Sequence, residues 1–320
     1  MTLPPGSQPL ISVVVPVYKE ENSIRPFLNR IEPVLENIDG NYEIIFALDP
    51  SLDLTENIIF EEIDRNPRIK LLVFSRRFGQ PAATMAGIVY CSGKTCVVID
   101  VDLQDPPELI EPMYKKLQEG NFEVVYAKRR SRQGETLLKR CIAHLGYALI
   151  NKISDIDIPR DTGDFRIMTR RIIEELARLN ETHGFMRGLV AYVGFKQTCI
   201  EYDRGPRYTG SGHYNRFIGS LKIGLNGLIS FSARPLFLMS IVGLFFSGFS
   251  FIVGGIYVLQ KLMGVPLSPG LSTTVLVVTF FSGIQLLALG LMGEYLGRVY
   301  DEVKNRPMYI IDKKINFDNK

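Results

Sequence analysis

Short apolar runs rich in β-branched residues alternate with segments of helical periodicity across residues 11–127. Such runs predict buried strands, and the segments between them predict helices of about a dozen residues. This alternation indicates βαβ units, and therefore an α/β fold with a mostly parallel sheet and flanking helices. The predicted strands are 11–17, 42–48, 69–74, 95–99 and 122–127, and the predicted helices are 23–36, 54–65, 80–91 and 107–118.

A mostly parallel sheet binds ligands beyond the carboxyl ends of its strands. The loops after Val15, Leu48, Ile99 and Ala127 are therefore the expected positions of chemistry. Further along the chain, the pattern predicts helices at 137–153 and 170–179 and a strand at 198–202.

Two long runs near the carboxyl terminus, 236–260 and 262–293, contain no charged residue. At about 1.5 Å per residue, each run forms a helix that can cross a hydrocarbon core of about 30 Å. The preceding segment, 214–231, repeats apolar residues at helical spacing, which predicts an amphipathic helix at the membrane surface or a helix packed on a protein core. The chain then divides into a soluble domain at 1–205, a juxtamembrane segment at 206–234, a two-helix transmembrane domain at 235–293 and a C-terminal tail at 294–320.

Basic residues flank the outer ends of the two uncharged runs, whereas the connector between them carries only Lys261. The positive-inside rule then places the soluble domain and both termini of this multi-pass membrane protein in the cytoplasm. The amino terminus has no basic region followed by an apolar core, so a cleaved signal peptide is not expected. Small residues such as Gly254 and Gly255 permit close packing of spans, which is compatible with a homo-oligomer.

The net charge of +3 and the lack of a long basic run give no reason to expect nucleic acid as a partner. The four cysteines show no metal-ligand spacing, which favours a reduced cytosolic setting.

The loop after the predicted strand 95–99 opens with two carboxylates two residues apart, Asp100 and Asp102. Both can approach one hard cation, and Gln104 can supply a further oxygen. Mg²⁺ or Mn²⁺ takes such ligands, retains positions for phosphate oxygens and can neutralise a departing diphosphate. A solvated turn that caps the next helix also contains acidic residues, so the spacing alone leaves both interpretations open.

The whole string from Asp100 to Glu108, DVDLQDPPE, resembles the acidic loop of family 2 glycosyltransferases. The resemblance is to the polyprenyl-phosphate branch, which includes bactoprenol glucosyltransferases and dolichol-phosphate mannose synthase. Segments 15–20, 75–87 and 161–166 resemble that branch's opening strand and loop, its Ser-Arg-Asn-Phe-Gly segment and its acceptor segment. The resemblance covers nearly the whole chain, although segment 47–55 lacks the first aspartate and the glycine of the usual Asp-Asp-Gly-Ser pattern.

This resemblance implies a nucleotide-sugar-binding fold of the GT-A type that uses Mg²⁺ or Mn²⁺. It also implies inverting transfer of a hexose, with glucose and a UDP-sugar favoured, to polyprenyl (undecaprenyl) phosphate at the bacterial inner membrane. The residues expected around the nucleotide are Pro16, Val17, Tyr18, Glu20, Asp49 and Arg76. The basic residues expected to hold the donor diphosphate or the lipid phosphate are Arg129, Arg130, Lys139, Arg140 and Arg207.

A carboxylate beside the acceptor is expected in the acidic segment 155–164, with Asp161 favoured, Asp157 second and Asp164 also a candidate. A phosphate monoester has its second pKa near 6, so the acceptor is largely ionised and a base is not strictly needed.

Two other functions stay open. A processive polysaccharide synthase carries more spans and a Gln-x-x-Arg-Trp signature, which disagrees with the absence of tryptophan. A membrane-anchored nucleotide-sugar-binding scaffold without turnover has no need of the intact pair Asp100 and Asp102.

Overall fold

The computed structural model describes residues 8–130, 162–179, 181, 186–205, 229, 232–264 and 270–317. Within them, eight strands form one sheet in the order β7-β5-β6-β4-β1-β2-β3-β8. The strands are β1 (Ile11–Val17), β2 (Tyr42–Leu48), β3 (Ile69–Phe74), β4 (Thr95–Val98), β5 (Val124–Arg129), β6 (Thr162–Thr169), β7 (Gln197–Tyr202) and β8 (Ile311–Ile315). The helices are α1 (Ile24–Ile38), α2 (Thr55–Arg65), α3 (Gln80–Tyr90), α4 (Ile110–Glu119), α5 (Arg170–Arg178), α6 (Met186–Val193), α7 (Arg234–Leu262) and α8 (Leu271–Val303).

The predicted alternation of strands and helices is confirmed. Each strand predicted within the described residues forms, with boundaries within two residues of the prediction. The predicted helices at 137–153 and 214–231 lie outside the described residues, apart from position 229.

Strand β1 forms the centre of the fold. It is buried along its whole length and pairs in parallel with β2 on one side and β4 on the other. Val13 and Val15 belong to one apolar layer and Val14 to the other, so both faces of the strand are covered. This double burial explains the unbroken apolar run, since only a strand with one solvated face alternates. Helix α3 packs so closely that a Cβ on Gly87 would come within 2.2 Å of Val14 Cγ1.

Strand β6 runs antiparallel between β4 and β5, in a segment where the sequence analysis predicted no strand. Because of its direction, β6 begins at the edge where its two neighbours end. Thr162 pairs with Lys128 near the end of β5, and Arg166 pairs with Val98 at the end of β4. The start of β6 is thereby placed among the loops that follow the parallel strands.

The segment predicted as a C-terminal tail contributes to the same sheet. Helix α8 continues to Val303, and β8 then pairs antiparallel with β3. Asn316 fixes the end of β8 by donating side-chain hydrogen bonds to the backbone oxygens of Pro67, at 2.6 Å, and Ile69, at 2.8 Å. The sequence analysis missed this strand because its sequence, IDKKI, is mostly charged, as is common for an edge strand.

Helices α7 and α8 are long and apolar enough to cross a membrane. The most apolar 18-residue stretch has a mean hydropathy of 2.3 within Arg234–Leu262 and 1.9 within Leu276–Val303, and none of either stretch is buried. Rings meet across the pair, where the centroid of Phe246 lies 5.4 Å from that of Phe281. Since β8 follows α8 and joins the sheet that precedes α7, the two ends of this helical hairpin return to one domain.

A buried ion pair lies at the amino-terminal end of the sheet. Glu43 on β2 is 2% exposed, and its carboxylate lies 2.7 Å from Lys70 Nζ on β3. The same carboxylate accepts hydrogen bonds from the Ser12 hydroxyl at 2.5 Å and from the Ser92 N–H at 2.6 Å. Burial raises the pKa of Glu43, but Lys70, Ser12 and Ser92 outweigh it and hold that pKa below its usual value.

We expect Glu43→Gln to lower the free energy of unfolding by about 2 kcal/mol at neutral pH, because it leaves Lys70 without its partner. A carboxylate with a depressed pKa stabilises the fold above its unfolded pKa of about 4.3, and that stabilisation is lost as pH falls through the folded pKa. The deficit of the variant should therefore shrink below about pH 4. Thermal unfolding in detergent across pH measures it. Glu111→Gln, which removes an exposed pair with Lys115 on one helix, is the control and should change little. A pH-independent deficit in Glu43→Gln would contradict the electrostatic explanation.

Candidate active site

The loops after the four central parallel strands meet at one edge of the sheet. Val17 at the end of β1 pairs with Leu48 at the end of β2, so these two loops start level with each other. The ends of β5 and β7 and the start of β6 reach the same edge. We call this edge the carboxyl edge.

The loops after β1, β2 and β3 form one side of the carboxyl edge. The Glu20 N–H donates a hydrogen bond to the Thr55 hydroxyl at 3.0 Å, which ties the first loop to the second. The Arg77 guanidinium lies 4.0 Å from the centroid of the Tyr18 ring, which ties the first loop to the third. The residues predicted to surround the nucleotide are therefore brought together here: Pro16, Val17, Tyr18, Glu20, Asp49 and Arg76.

Asp49 fixes the turn that leads into α3. It is 2% exposed, and its two carboxylate oxygens accept the backbone N–H groups of Phe78, at 2.9 Å, and Gly79, at 2.8 Å. Gly79 has a φ of +93°, a conformation that favours glycine. The structure thus shows a backbone-holding function for Asp49, and its contact with a nucleotide stays a prediction.

The loop after β4 carries the three predicted metal ligands. Asp102 is 5% exposed, and its Oδ1 accepts the N–H of Gln104 at 3.1 Å. Asp100 accepts a hydrogen bond on Oδ1 from the side chain of Gln80, at 2.8 Å. Burial, together with the charges of Asp164, Asp102 and Asp105, raises the pKa of Asp100 to about 7. Carboxylates crowded in this way favour a bound cation, which would relieve their mutual repulsion.

The donor set fits a divalent cation that substrate oxygens complete. Among the described residues, no three His, Cys, Asp or Glu side chains are grouped to hold a metal ion by themselves. Asp100 and Asp102 would supply two carboxylates, and Gln104 an amide oxygen. Mg²⁺ commonly takes one or two carboxylates and fills its other positions with water and substrate phosphate.

Asp164, near the start of β6, is held by two arginines. Its Oδ1 lies 3.0 Å from Arg187 Nε on α6 and 3.2 Å from Arg166 Nη2 on β6. Arg166 is fully buried. Burial raises the pKa of Asp164, but Arg187, Arg166 and Arg129 outweigh it and hold that pKa below its usual value. Of the three candidate catalytic carboxylates, Asp164 is the one within the described residues, and it lies close enough to Asp100 to raise the pKa of that group.

The two predicted phosphate ligands at the end of β5 and just after it, Arg129 and Arg130, have different contacts. Arg129 Nε lies 3.5 Å from the Tyr202 hydroxyl, and its guanidinium lies over Gly163 at the carboxyl edge. Arg130 is 63% exposed and forms long ion pairs with Glu201 and Asp203 on and just after β7. Of the two, Arg129 has its guanidinium at the carboxyl edge, and binding of a phosphate by either arginine stays a prediction. The other predicted site residues lie outside the described residues: Lys139, Arg140, Asp157, Asp161 and Arg207.

Comparisons with known proteins identify the family. The model of "Glycosyl transferase family 2" matches residues 12–177, which include every loop of the carboxyl edge except the one after β7. The glycosyltransferase YkcC of Bacillus subtilis (strain 168) is 45% identical, over 97% of this chain and 95% of its own length. This chain is a family 2 glycosyltransferase.

Other relatives of this family 2 glycosyltransferase carry more specific names. The SfII prophage-derived bactoprenol glucosyl transferase of Shigella flexneri is 39% identical, over 95% of this chain and 97% of its own length. Among solved structures, the mannosyltransferase PcManGT of Pyrobaculum calidifontis, in complex with GDP-Man and Mn²⁺, has a TM-score of 0.46 at 15% identity, over 94% of this chain and 88% of that chain. That similarity is too distant for the ligands of the solved structure to be assigned to this glycosyltransferase. The α/β fold expected from the sequence, with flanking helices on one sheet, is confirmed.

Sequence reasoning missed several residues that complete the site of the glycosyltransferase. Arg187, Tyr202 and Arg204 belong to no motif and lie far along the chain from the acidic loop. Arg166 falls within the segment that resembles the acceptor site, but nothing in the sequence indicates its burial. Gln80, at the start of α3, likewise gave no signal of its contact with Asp100.

We expect Arg187→Gln to raise the pKa of Asp164, because burial then weighs more against its ionised form. The acidic limb of the pH profile of kcat/KM should move to higher pH, and kcat/KM near neutral pH should fall about tenfold. Steady-state kinetics across pH measures both effects. Arg171→Gln is the matched control, since Arg171 is 63% exposed on α5 and lies 3.5 Å from Glu123. An acidic limb in the same place as in the wild type would refute this function of Arg187.

Proposed function

We propose that this glycosyltransferase transfers a hexose from a nucleotide sugar to polyprenyl phosphate. UDP-glucose is the favoured donor, and undecaprenyl phosphate is the favoured acceptor. The observation that carries the proposal is the full-length similarity, helical hairpin included, to relatives named bactoprenol glucosyl transferase. The carboxyl edge agrees with it, because it combines carboxylates suited to a cation with an arginine suited to a phosphate.

The chemistry is a direct displacement with inversion at the anomeric carbon. An oxygen of the acceptor phosphate forms a bond to that carbon while the bond from carbon to the donor diphosphate breaks, and the nucleoside diphosphate leaves with the electron pair. The acceptor oxygen is already ionised near neutral pH, so positioning and charge neutralisation can replace a strong base. A bound Mg²⁺ or Mn²⁺ would supply positive charge for the departing diphosphate.

Each side chain of the site has its own function in the proposed reaction. Asp100 and Asp102 would hold the cation, and Tyr18 and Arg76 would contact the nucleotide. Arg129 would bind a phosphate, together with Lys139, Arg140 and Arg207 from the other segments. Asp161, Asp157 and Asp164 remain the candidate carboxylates beside the acceptor.

The proposed location is the bacterial inner membrane, with the catalytic domain on the cytoplasmic side. A lipid phosphate sits at headgroup level, because burying its charge in hydrocarbon is costly. The site must therefore face the membrane surface, where the sequence predicts the amphipathic helix at 214–231. The pairing of β8 with β3 supports this proposal, because it keeps the segment after α8 with the sheet that carries the proposed donor site.

The proposed reaction is tested with purified protein, a panel of radiolabelled nucleotide sugars and undecaprenyl phosphate. We expect label from UDP-glucose in the lipid fraction, dependent on Mg²⁺ or Mn²⁺ and abolished by EDTA. Asp102→Asn should lower turnover more than about 100-fold, since even residues that only support metal ligands cost about 10- to 100-fold. Asp64→Asn, an exposed change on α2, is the control. Label in a soluble polysaccharide would refute the proposed reaction. Full activity of the wild type in EDTA, or full activity of Asp102→Asn, would refute the proposed metal function.

Cysteine labelling in intact cells tests the topology. The cysteine of Gly264→Cys, in the connector between α7 and α8, should react with a membrane-impermeant maleimide, whereas that of Lys320→Cys should react only after permeabilisation. A cysteine-free background keeps the signal specific. The reverse pattern would place the catalytic domain outside, away from cytosolic nucleotide sugars, and would contradict the proposed location.

A further inference from the structure

The predicted metal-binding loop follows β4, and residues at the end of β7 hold it in place. Strand β7 does not pair with β4 in the sheet. Asp105, one residue after Gln104, is 1% exposed. Its Oδ1 accepts a hydrogen bond from the Tyr202 hydroxyl and lies 3.3 Å from Arg204 Nε. The backbone is fixed as well, because the Gly205 N–H donates a hydrogen bond to the backbone oxygen of Gln104 at 3.1 Å.

These contacts hold a strained turn. Leu103, between Asp102 and Gln104, has a φ of +57° and is buried. A non-glycine residue in the left-handed region is costly, and it persists only where surrounding contacts over-determine the conformation. The contacts from residues 202–205 meet that requirement, since they fix both the backbone and the last carboxylate of the turn.

The Tyr202 hydroxyl also contacts a predicted phosphate ligand on the neighbouring strand β5. It accepts a hydrogen bond from Arg129 Nε, at 3.5 Å, while it donates to Asp105. Burial and the neighbouring Asp105 raise the pKa of Tyr202 to about 12, so the phenol stays protonated and able to donate. One hydroxyl group therefore links residues 100–105, here called the carboxylate loop, to Arg129, a predicted phosphate ligand.

We propose that Tyr202 is a positioning residue, whose hydroxyl sets the carboxylate loop of Asp100 and Asp102 and the guanidinium of Arg129 in one fixed arrangement. This inference rests on the proposed function. The donor diphosphate must contact a cation on one side and basic groups on the other, so the separation of the two is part of the catalytic geometry. Hydrogen-bonded side chains that support metal ligands commonly change metal affinity or activity by about 10- to 100-fold when removed.

Tyr202→Phe removes the hydroxyl and keeps the ring. The matched control is Tyr126→Phe, because Tyr126 on β5 is also buried and donates its hydroxyl to Gln197 on β7, away from the carboxylate loop. Full-length protein in detergent is used for all variants. Three quantities are measured: the thermal midpoint, Mn²⁺ affinity in the presence of UDP by electron paramagnetic resonance, and kcat and KM with UDP-glucose and undecaprenyl phosphate.

Tyr202→Phe should weaken Mn²⁺ binding about tenfold and lower kcat at least about tenfold, whereas Tyr126→Phe should match the wild type in both. If Tyr202 only stabilises the fold, both variants lose a similar amount of thermal stability and keep their Mn²⁺ affinity and kcat, and the inference is wrong. Tyr202→Phe should also lower kcat by a smaller factor in an Arg129→Gln background, because the effects of coupled groups are not additive. Fully additive effects on kcat would refute the link to Arg129.

If the proposed reaction is wrong, the measurements give a result that differs from the one expected if only the inference about Tyr202 is wrong. A wild-type protein that binds Mn²⁺ with UDP but transfers no glucose to undecaprenyl phosphate would refute the proposed reaction. The Mn²⁺ affinities of Tyr202→Phe and Tyr126→Phe would still decide whether Tyr202 positions the loop.

Discussion

Strand β1 is buried on both faces, so its backbone groups must find their hydrogen-bond partners on the two neighbouring strands. It finds them in parallel pairs with β2 and β4, and β3 continues the parallel set beyond β2. Parallel pairing brings the carboxyl ends of these strands to one edge. Every described residue of the candidate site lies at or near that edge, so the site depends on this pairing before it depends on any single side chain.

The carboxyl edge carries an excess of like charge that the fold must compensate. Asp100, Asp102, Asp105 and Asp164 lie close enough together for their charges to raise the pKa of Asp100. Arginines form ion pairs with two of these carboxylates: Arg187 and Arg166 pair with Asp164, and Arg204 pairs with Asp105. Asp100 and Asp102 are the two carboxylates assigned to a cation, which agrees with the use of substrate and metal to complete the site.

The carboxyl-terminal strand connects the apolar hairpin to the catalytic sheet. Strand β8 pairs with β3, and the Ser75 N–H donates to the Ile310 oxygen just where β3 enters its loop. The ring of Tyr309 lies 6.0 Å from that of Phe74 at the same place. The loop after β3, which carries Arg76 and Arg77, is therefore supported from the segment that follows α8. This arrangement holds the donor side of the site to the helices that the proposal places in the membrane.

Local patterns in the sequence were sufficient for the strand and helix alternation, the apolar hairpin and the acidic loop at the end of β4. Each of these is a property of neighbouring residues, since burial of a strand or a helix leaves its period in the sequence. The family resemblance was also carried by contiguous strings. What the tertiary structure alone decided is which distant residues complete the site. The antiparallel entry of β6 between β4 and β5 brings Asp164 beside Asp100, and the pairing of β7 with β5 brings Tyr202 to Asp105 and Arg129. Strand order and direction result from burial of the whole sheet, so they cannot be read from the hydrophobic periodicity of any single segment.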